Sequence, residues 1–378
     1  MISVGEAVGW VLRVALLIAA LVLLILTLLP ISHADTWWIR YAMYPALQFA
    51  GLMLAIALLL LIWRGVIEWI AIAGLLVGIS IQVSRLAPYL APLVVNVPAP
   101  TVTDGNCGTA NRVRLLEVNV QRTNRHDHAL LNIVRHVDPD IAWFQEVDDW
   151  WESELSALDP SMPYGLLDVQ PNYFGVHLYS KLPLTDTSTQ DLTNSNNPSI
   201  FATATLPSGD RLRIYAVHPR PPQVGQSAAE RDAQLMATAL AAHGDTEAHL
   251  VAGDLNAVPW DDILRRVETI GRVADPRVGR GLFITWNANR TFAKWPLDHL
   301  LPGPGITLSR LEVLPPFGSD HRPLLADFCV AKPAASPQPL DPAVKQAAEA
   351  VVVHGQGKAR SPGAATPEGS ETHEDRPN

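Results

Sequence analysis

The sequence predicts a layered α/β domain carried behind three membrane-spanning helices, and three observations lead there. Only 17% of the 378 residues are charged and 48% are hydrophobic, whereas a soluble protein averages about 25% charged. Apolar runs crowd the first quarter of the chain. Beyond them, short apolar segments alternate with amphipathic ones, the pattern of strands and helices packed in layers. The expected organisation is an anchor over 1–87, a linker over 88–111, a folded domain over 112–331 and a disordered tail over 332–378.

The anchor contains three runs. Residues 14–32 carry no ionisable side chain between Arg13 and His33. Residues 41–63 are uncharged between Arg40 and Arg64, long enough to cross a bilayer with some tilt. Residues 69–84 are shorter and span only with 65–68 at the interface. Trp10, Trp37, Trp38, Tyr41, Tyr44, Trp63, Trp69 and Tyr89 sit at the run ends, as aromatic belts do. Ser32-His33-Ala34 has the small-x-small pattern of a leader-cleavage site, but the preceding apolar core is longer than a leader's, which favours a retained helix. Arg13 and Arg64 oppose Arg40 and Arg85, so the positive-inside rule ties. With a short N-terminus inside, three spans put everything after Arg85 outside the cytoplasm: a multi-pass cell-membrane protein with an extracytoplasmic domain.

Pro88, Pro92, Pro98 and Pro100 mark an extended linker. The tail is rich in Pro, Ala, Gly and Ser, with one short helix expected from Asp341-Pro342 to about Val353. Two cysteines rule out a disulfide scaffold or a cysteine-built zinc site. Residues 98–331 hold 19 Arg and Lys against 28 Asp and Glu, a poor balance for gripping a phosphate backbone.

In the folded domain, 112–120 reads as a strand, 126–136 as an amphipathic helix, 141–144 as a buried strand, 212–217 as a strand, 227–243 as a helix, and 249–252, 297–301 and 319–328 as strands. The chemistry lies where these strands end. Glu146, Asp254, Asp298 and Asp320 each follow or interrupt an apolar segment, accompanied by Asn119, Asn256, His218 and His321. Carboxylates beside apolar strands are costly unless paired or bound to a cation. Hard oxygen donors of this kind suit Mg²⁺, with Mn²⁺ as the other candidate. A phosphoester hydrolase needs such a metal, donors for phosphoryl oxygens and a base for water.

Asn119, Gln145-Glu146, Gly253-Asp254-Leu255-Asn256, Leu297-Asp298-His299 and Ser319-Asp320-His321 stand in an order and spacing that resembles the endonuclease/exonuclease/phosphatase superfamily. Gly175-Val176-His177-Leu178-Tyr179-Ser180-Lys181-Leu182-Pro183 resembles its strand pair, with Lys181 where Arg is commoner. With helices in front and Val217-His218-Pro219-Arg220-Pro221-Pro222 behind a strand, the chain is similar to the membrane-anchored subgroup that includes teicoplanin-resistance proteins. The resemblance implies a deoxyribonuclease I-like fold, a two-layered β-sandwich flanked by helices, over roughly 112–330. It implies Glu146 as the principal Mg²⁺ ligand, with Asn119 beside it and Asp320 helping to hold the metal. Asp254 and Asn256 would position water and the scissile phosphate. His321, oriented by Asp298, would be the base or a stabiliser of phosphate charge, and His218 would donate to a phosphoryl oxygen. It further implies antiparallel pairing of the first and last strands, hence a Cys107–Cys329 disulfide outside the cytoplasm.

The expected activity is that of a phosphoesterase acting on a phosphate or pyrophosphate ester at the membrane, such as a polyprenyl pyrophosphate. The alternatives are an extracytoplasmic nuclease, disfavoured by charge, and a non-catalytic scaffold of the same fold. Glu117, on the same strand face as Asn119, is either an added metal ligand or a solvent-facing residue at a sheet edge, the latter slightly preferred. His177 and His299 read as supporting residues, and His126, His128, His136, His243 and His249 as surface ones. The basic stretch 265–294 is either a solvated face or a cationic rim for anionic headgroups.

Overall fold

The computed structural model describes residues 4–90 and 102–359. Pro92, Pro98 and Pro100 of the expected linker, and the tail beyond Ala359, lie outside them.

Four helices open the chain: α1 (Val4–Leu28), α2 (Trp37–Tyr41), α3 (Ala46–Leu60) and α4 (Val66–Leu86). Arg13 meets Glu68, and Gln82 Nε2 donates to Thr27 Oγ1. Both pairs are 55 residues apart, so α1 and α4 run parallel and α3 returns between them. Among the described residues two helical stretches, Val4–Ser32 and Val66–Tyr89, are long and apolar enough to cross a membrane. The second expected span is the one that shortens. Residues 41–45 leave the apolar run to pack on the folded domain, so α3 keeps 15 residues, about 22 Å of helix, while the stretch expected to be short becomes a full-length helix.

The folded domain is a sandwich of two mixed sheets. One contains β1 (Arg112–Asn119), β2 (Ile141–Gln145), β3 (Tyr164–Asp168), β4 (Val176–Ser180), β10 (Ile306–Val313) and β11 (Leu324–Val330), in the order β10-β11-β1-β2-β4-β3. The other runs β5-β6-β7-β8-β9: β5 (Leu184–Asp191), β6 (Pro198–Thr205), β7 (Arg211–Ala216), β8 (Ala248–Asp254) and β9 (Asp298–Pro302). Alternate residues such as Val113, Leu115, Ile141, Trp143, Ile214, Leu250 and Leu300 fill the space between the sheets. The opposite faces are covered by α5 (Asp127–Val137) and α6 (Asp149–Leu155) on one side, and by α7 (Ala229–His243) and α8 (Asp262–Gly271) on the other.

β1 and β11 pair antiparallel, with Arg112 opposite Cys329, and Cys107 is disulfide-bonded to Cys329. The helix expected in the tail from Asp341-Pro342 is present and longer than expected. There α9 (Pro342–Ala359) runs six residues past the expected end and packs on α7. Ala348, Val351 and Val352 join the core under α7 and α8, and a Cβ at Gly355 would lie 2.4 Å from the Ala229 carbonyl. Close helix contact here needs glycine, so the packing that extends the helix is not legible in composition.

Candidate active site

The two-residue period of the strands builds the site. Between the sheets, the inward positions are apolar along most of each strand and become polar at one common end. β1 goes from Val113 and Leu115 to Glu117 and Asn119, and β2 from Ile141 and Trp143 to Gln145. β8 goes from Leu250 and Ala252 to Asp254, and β9 from Leu300 back to Asp298. His218 continues the inward series of Leu212, Ile214 and Ala216. The loops after β2 and β8 add Glu146 and Asn256, and the loop between β10 and β11 adds Asp320 and His321, so all eight residues expected from the sequence converge around one cavity of about 540 Å³.

The backbone is fixed accordingly. Gly253 has φ +140°, and a Cβ there would lie 1.9 Å from the Val217 carbonyl oxygen. Glu146 and Asn256 are held at positive φ, 63° and 48°, a conformation non-glycine residues adopt only when their surroundings impose it. For Asn256 those surroundings are its N–H to Asp254 Oδ1 (3.0 Å) and its side-chain amide to the Pro219 carbonyl (2.9 Å). For Glu146 they include the Arg122 N–H on Oε2 (3.0 Å) and Asn119 Nδ2 on Oε1 (3.0 Å). Asn119 Nδ2 also donates to Asp254 Oδ2 at 3.3 Å, while its oxygen accepts from the Gln121 N–H. Asn119 therefore braces two carboxylates with its nitrogen instead of presenting its oxygen.

His321 Nδ1 donates to Asp298 Oδ2 at 2.8 Å, and Nε2 points to Asp254 Oδ2 at 3.4 Å. Burial alone would lower the imidazole's pKa, but Asp298 and Asp254 outweigh it and hold the ring cationic, up to about 10. Asp254 is raised by burial, drawn back by His321 and raised again by Asp298, to about 7. Burial, reinforced by the His321 charge, lowers His218 to about 3. That ring is neutral, 3.7 Å from Asp254, and its buried Nδ1 has no hydrogen-bond partner. The three roles separate cleanly: a carboxylate poised near neutrality, an imidazolium, and a neutral ring available as a donor.

Glu117 departs from the preferred solvent-facing reading. It is 0% exposed, because β1 lies inside its sheet and the Asn119 face is the inter-sheet face. Burial, then Asp298 and Asp254, push its carboxyl well above the usual range. It lies beside Asp298 and accepts from Gln145 Nε2. Gln145 Oε1 in turn accepts the Asp254 N–H at 2.7 Å.

Several further residues have no signal in the sequence. Trp286 Nε1 donates to Asp320 Oδ2 at 2.9 Å, and Thr285 Oγ1 accepts from the Asp298 N–H at 3.3 Å. Tyr44 Oη and Arg231 both donate to the Asn256 carbonyl, at 2.5 and 3.0 Å. His177 is buried, stacks on Tyr179 and bonds Glu152, and His299 is buried against Arg277 and the Ala257 carbonyl. His249 is instead 0% exposed, its Nε2 bonded to the Gly271 carbonyl. In the basic stretch only Arg277 is buried, and four of its seven basic residues are engaged locally. Arg277 pairs with Asp275, Arg265 with Asp262 and Arg280 with Asp104, and Arg272 bonds loop carbonyls. Local charge pairing thus displaces the continuous cationic rim.

The donor set fits a divalent cation. Glu117, Glu146, Asp254, Asp298 and Asp320 gather here with one charged imidazole, and burial raises Glu146 as well as Asp254. Glu146 and Asp320 line the cavity wall and accept hydrogen bonds from neutral donors, Asn119 Nδ2 and the Arg122 N–H for the first and Trp286 Nε1 for the second. Asp254, Asp298 and His321 also offer ligand atoms within 4.8 Å of one another, but they already bond each other as an ion-paired chain.

The pairing has a pH signature. His321 is charged in the folded protein below about 10 and in an unfolded chain only below about 6.5. Its pairing therefore contributes stability fully below about pH 6.5 and loses it as pH rises through about 10. The thermal midpoint of the wild type is expected to fall more across that window than that of Asp298→Asn; parallel curves would contradict the paired imidazolium.

A helix-flanked sandwich of two mixed sheets, with carboxylates and imidazoles converging at one end, defines a phosphoester hydrolase. The chain belongs to the endonuclease/exonuclease/phosphatase family, whose model matches residues 113–321. Its fold is similar to that of D. rerio TDP2 humanized by 14 mutations, at 15% identity and TM-score 0.50, covering 58% of this chain and 99% of that one. It is also similar to D. rerio TDP2 complexed with single strand DNA product, at 16% identity and TM-score 0.50, covering 57% and 98%. The human Nocturnin catalytic domain with bound sulfate anion matches at 18% identity and TM-score 0.48, covering 58% and 95%. No curated protein matches the sequence.

Proposed function

We propose that the protein is a membrane-anchored, Mg²⁺-dependent phosphoesterase, similar to the teicoplanin-resistance subgroup, acting outside the cytoplasm on a phosphate or pyrophosphate ester at the membrane surface. A polyprenyl pyrophosphate is the leading substrate. The observation that carries this is the cavity itself, which unites Glu146, Asp254, His218 and His321 with Tyr41 and Tyr44 from between two apolar helices. Glu146 and Asp320 would hold the metal, which supplies charge neutralisation to the phosphoryl group. Asp254, with Asn256 fixing its loop, takes the proton of the attacking water as the water–phosphorus bond forms. His321, locked by Asp298, faces the charge that develops on the phosphoryl oxygens, and His218 donates to one of them. The bond from phosphorus to the leaving oxygen then breaks.

The anchor reading draws support from α1 and α4, whose apolar windows are only 22% and 28% buried, with Trp69 and Ile70 largely exposed. Parallel α1 and α4, joined by a returning α3, suit a multi-pass anchor. The disulfide supports an extracytoplasmic domain. Protein taken from intact cells under thiol-blocking conditions is expected to show Cys107 and Cys329 unreactive until reduced; two free thiols would contradict that location.

Substrate class is tested by offering the detergent-solubilised protein a polyprenyl pyrophosphate and plasmid DNA side by side. Phosphate release from the lipid without nicking is expected. Nicking without lipid turnover would make the protein a nuclease.

A further inference from the structure

The segment between α1 and α3 is built into the catalytic domain. Arg40 is buried against Asp232 (3.2 Å) and Asp261, the Asp35 carbonyl accepts the Ala228 N–H at 2.7 Å, and Tyr44 holds the Asn256 carbonyl. At the end of α4, Tyr89 Oη donates to the Pro259 carbonyl at 3.2 Å. The apolar helices therefore fix the orientation of the cavity relative to whatever surrounds them.

Two loops carry apolar side chains that the fold leaves uncovered. Val224 is 79% exposed and Phe292 82%. Each loop is tied to an emerging end of the apolar bundle. Ser227, three residues after Val224, bridges to Thr36 and bonds the Asp35 carbonyl, just beyond α1. The Phe292 carbonyl accepts from Gln48 in the first turn of α3 at 2.6 Å. Exposed Arg290 sits two residues from Phe292, giving the apolar-plus-basic pairing of a headgroup-level contact. The same loops contribute Pro221, Pro222, Trp286 and Leu297 to the cavity wall, alongside Tyr41 and Tyr44.

We infer that the cavity opens at the bilayer surface, with Val224 and Phe292 seated in the headgroup region on two loops of its wall, so that an amphiphilic phosphoester enters from the lipid with its tail still in the bilayer. This deepens the reading above and rests on it for the chemistry. The position of the mouth, however, is measurable without turnover.

The full chain, reconstituted in vesicles of phosphatidylcholine and phosphatidylglycerol, is spin-labelled at Phe292→Cys, Val224→Cys and, as a reference, Ser208→Cys in the β6–β7 turn at the opposite end of the sandwich. The native cysteines are bonded to each other and leave only the introduced thiol. The ratio of collisions with lipid-soluble oxygen to collisions with a water-soluble nickel chelate is expected to be severalfold higher at 292 and 224 than at 208. Arg290→Cys, whose label should read intermediate, serves if removing Phe292 disturbs the loop. Labels at 292, 290 and 224 as open to nickel as that at 208 would overturn the inference. In the same vesicles the wild type is expected to release phosphate from a long-chain polyprenyl pyrophosphate at a lower KM than from a water-soluble short-chain one; equal KM values would overturn lateral entry. Bilayer-depth labels with no turnover of either ester would instead remove the phosphoesterase reading.

Discussion

Replacing His321 with alanine is expected to lower turnover by roughly 10²–10⁴-fold while leaving the fold largely intact. The ring is a buried cation at the cavity wall, held by Asp298 at 2.8 Å and facing Asp254 at 3.4 Å. Its loss removes a buried positive charge from the cavity and leaves Asp254 and Asp298 to repel each other. The loss is therefore expected mainly in kcat. Asp298→Asn is expected to follow the same direction less steeply, because Asp254 still faces the ring. Steady-state kinetics with any hydrolysed phosphoester decides it, with circular dichroism as the check on folding. Unchanged turnover in a folded His321→Ala protein would remove that residue from the mechanism.

Arg231→Met is expected to destabilise the protein by about 3–5 kcal/mol, the range for breaking a buried ion pair from one side. Arg231 is fully buried, bonds Asp232 at 2.7 Å and Asp261 at 3.1 Å, and donates to the Asn256 carbonyl. Arg40, reaching in from α2, shares both carboxylates. Methionine fills the volume but leaves two buried aspartates to a single arginine. Asp261→Asn in the same background removes the surplus charge, retains an N-cap acceptor for the Ile263 N–H, and is expected to recover part of the loss. The midpoint of thermal unfolding in detergent measures both. A thermal midpoint of Arg231→Met equal to that of the wild type would show that the network between connector and domain contributes nothing.

What the sequence reveals follows from which forces are local. Strand ends with polar inward positions are visible in a period-two pattern, so Asn119, Asp254, Asp298 and His218 stand out from the residue order alone. β5 and β6 escape that pattern because Leu184–Asp191 is almost entirely polar and the alternation in Pro198–Thr205 is blurred by small residues. β10 lies at a sheet edge with no buried residue in its second half, and its pattern is correspondingly weak. Glu117 is misplaced from sequence because strand periodicity gives the face but not the neighbour: only the sheet order shows β1 between β11 and β2. Tyr44 and Arg40 read as the edge of an apolar run, since their partners Asn256, Asp232 and Asp261 lie about two hundred residues away. The helix of the tail is visible at its N-cap, where Asp341 Oδ1 accepts from the Ala343 N–H. Its length is set by packing on α7, which no local signal encodes.

The assignment of function rests on these carboxylates and imidazoles hydrolysing a phosphoester with the help of a divalent cation. The decisive experiment is inorganic phosphate release from a polyprenyl pyrophosphate by the detergent-solubilised full chain, with Mg²⁺ and with chelator, beside Glu146→Ala. Release is expected to need Mg²⁺ and to be lost in the folded Glu146→Ala protein. Release that persists in chelator, or in the absence of the Glu146 carboxylate, would refute the assignment.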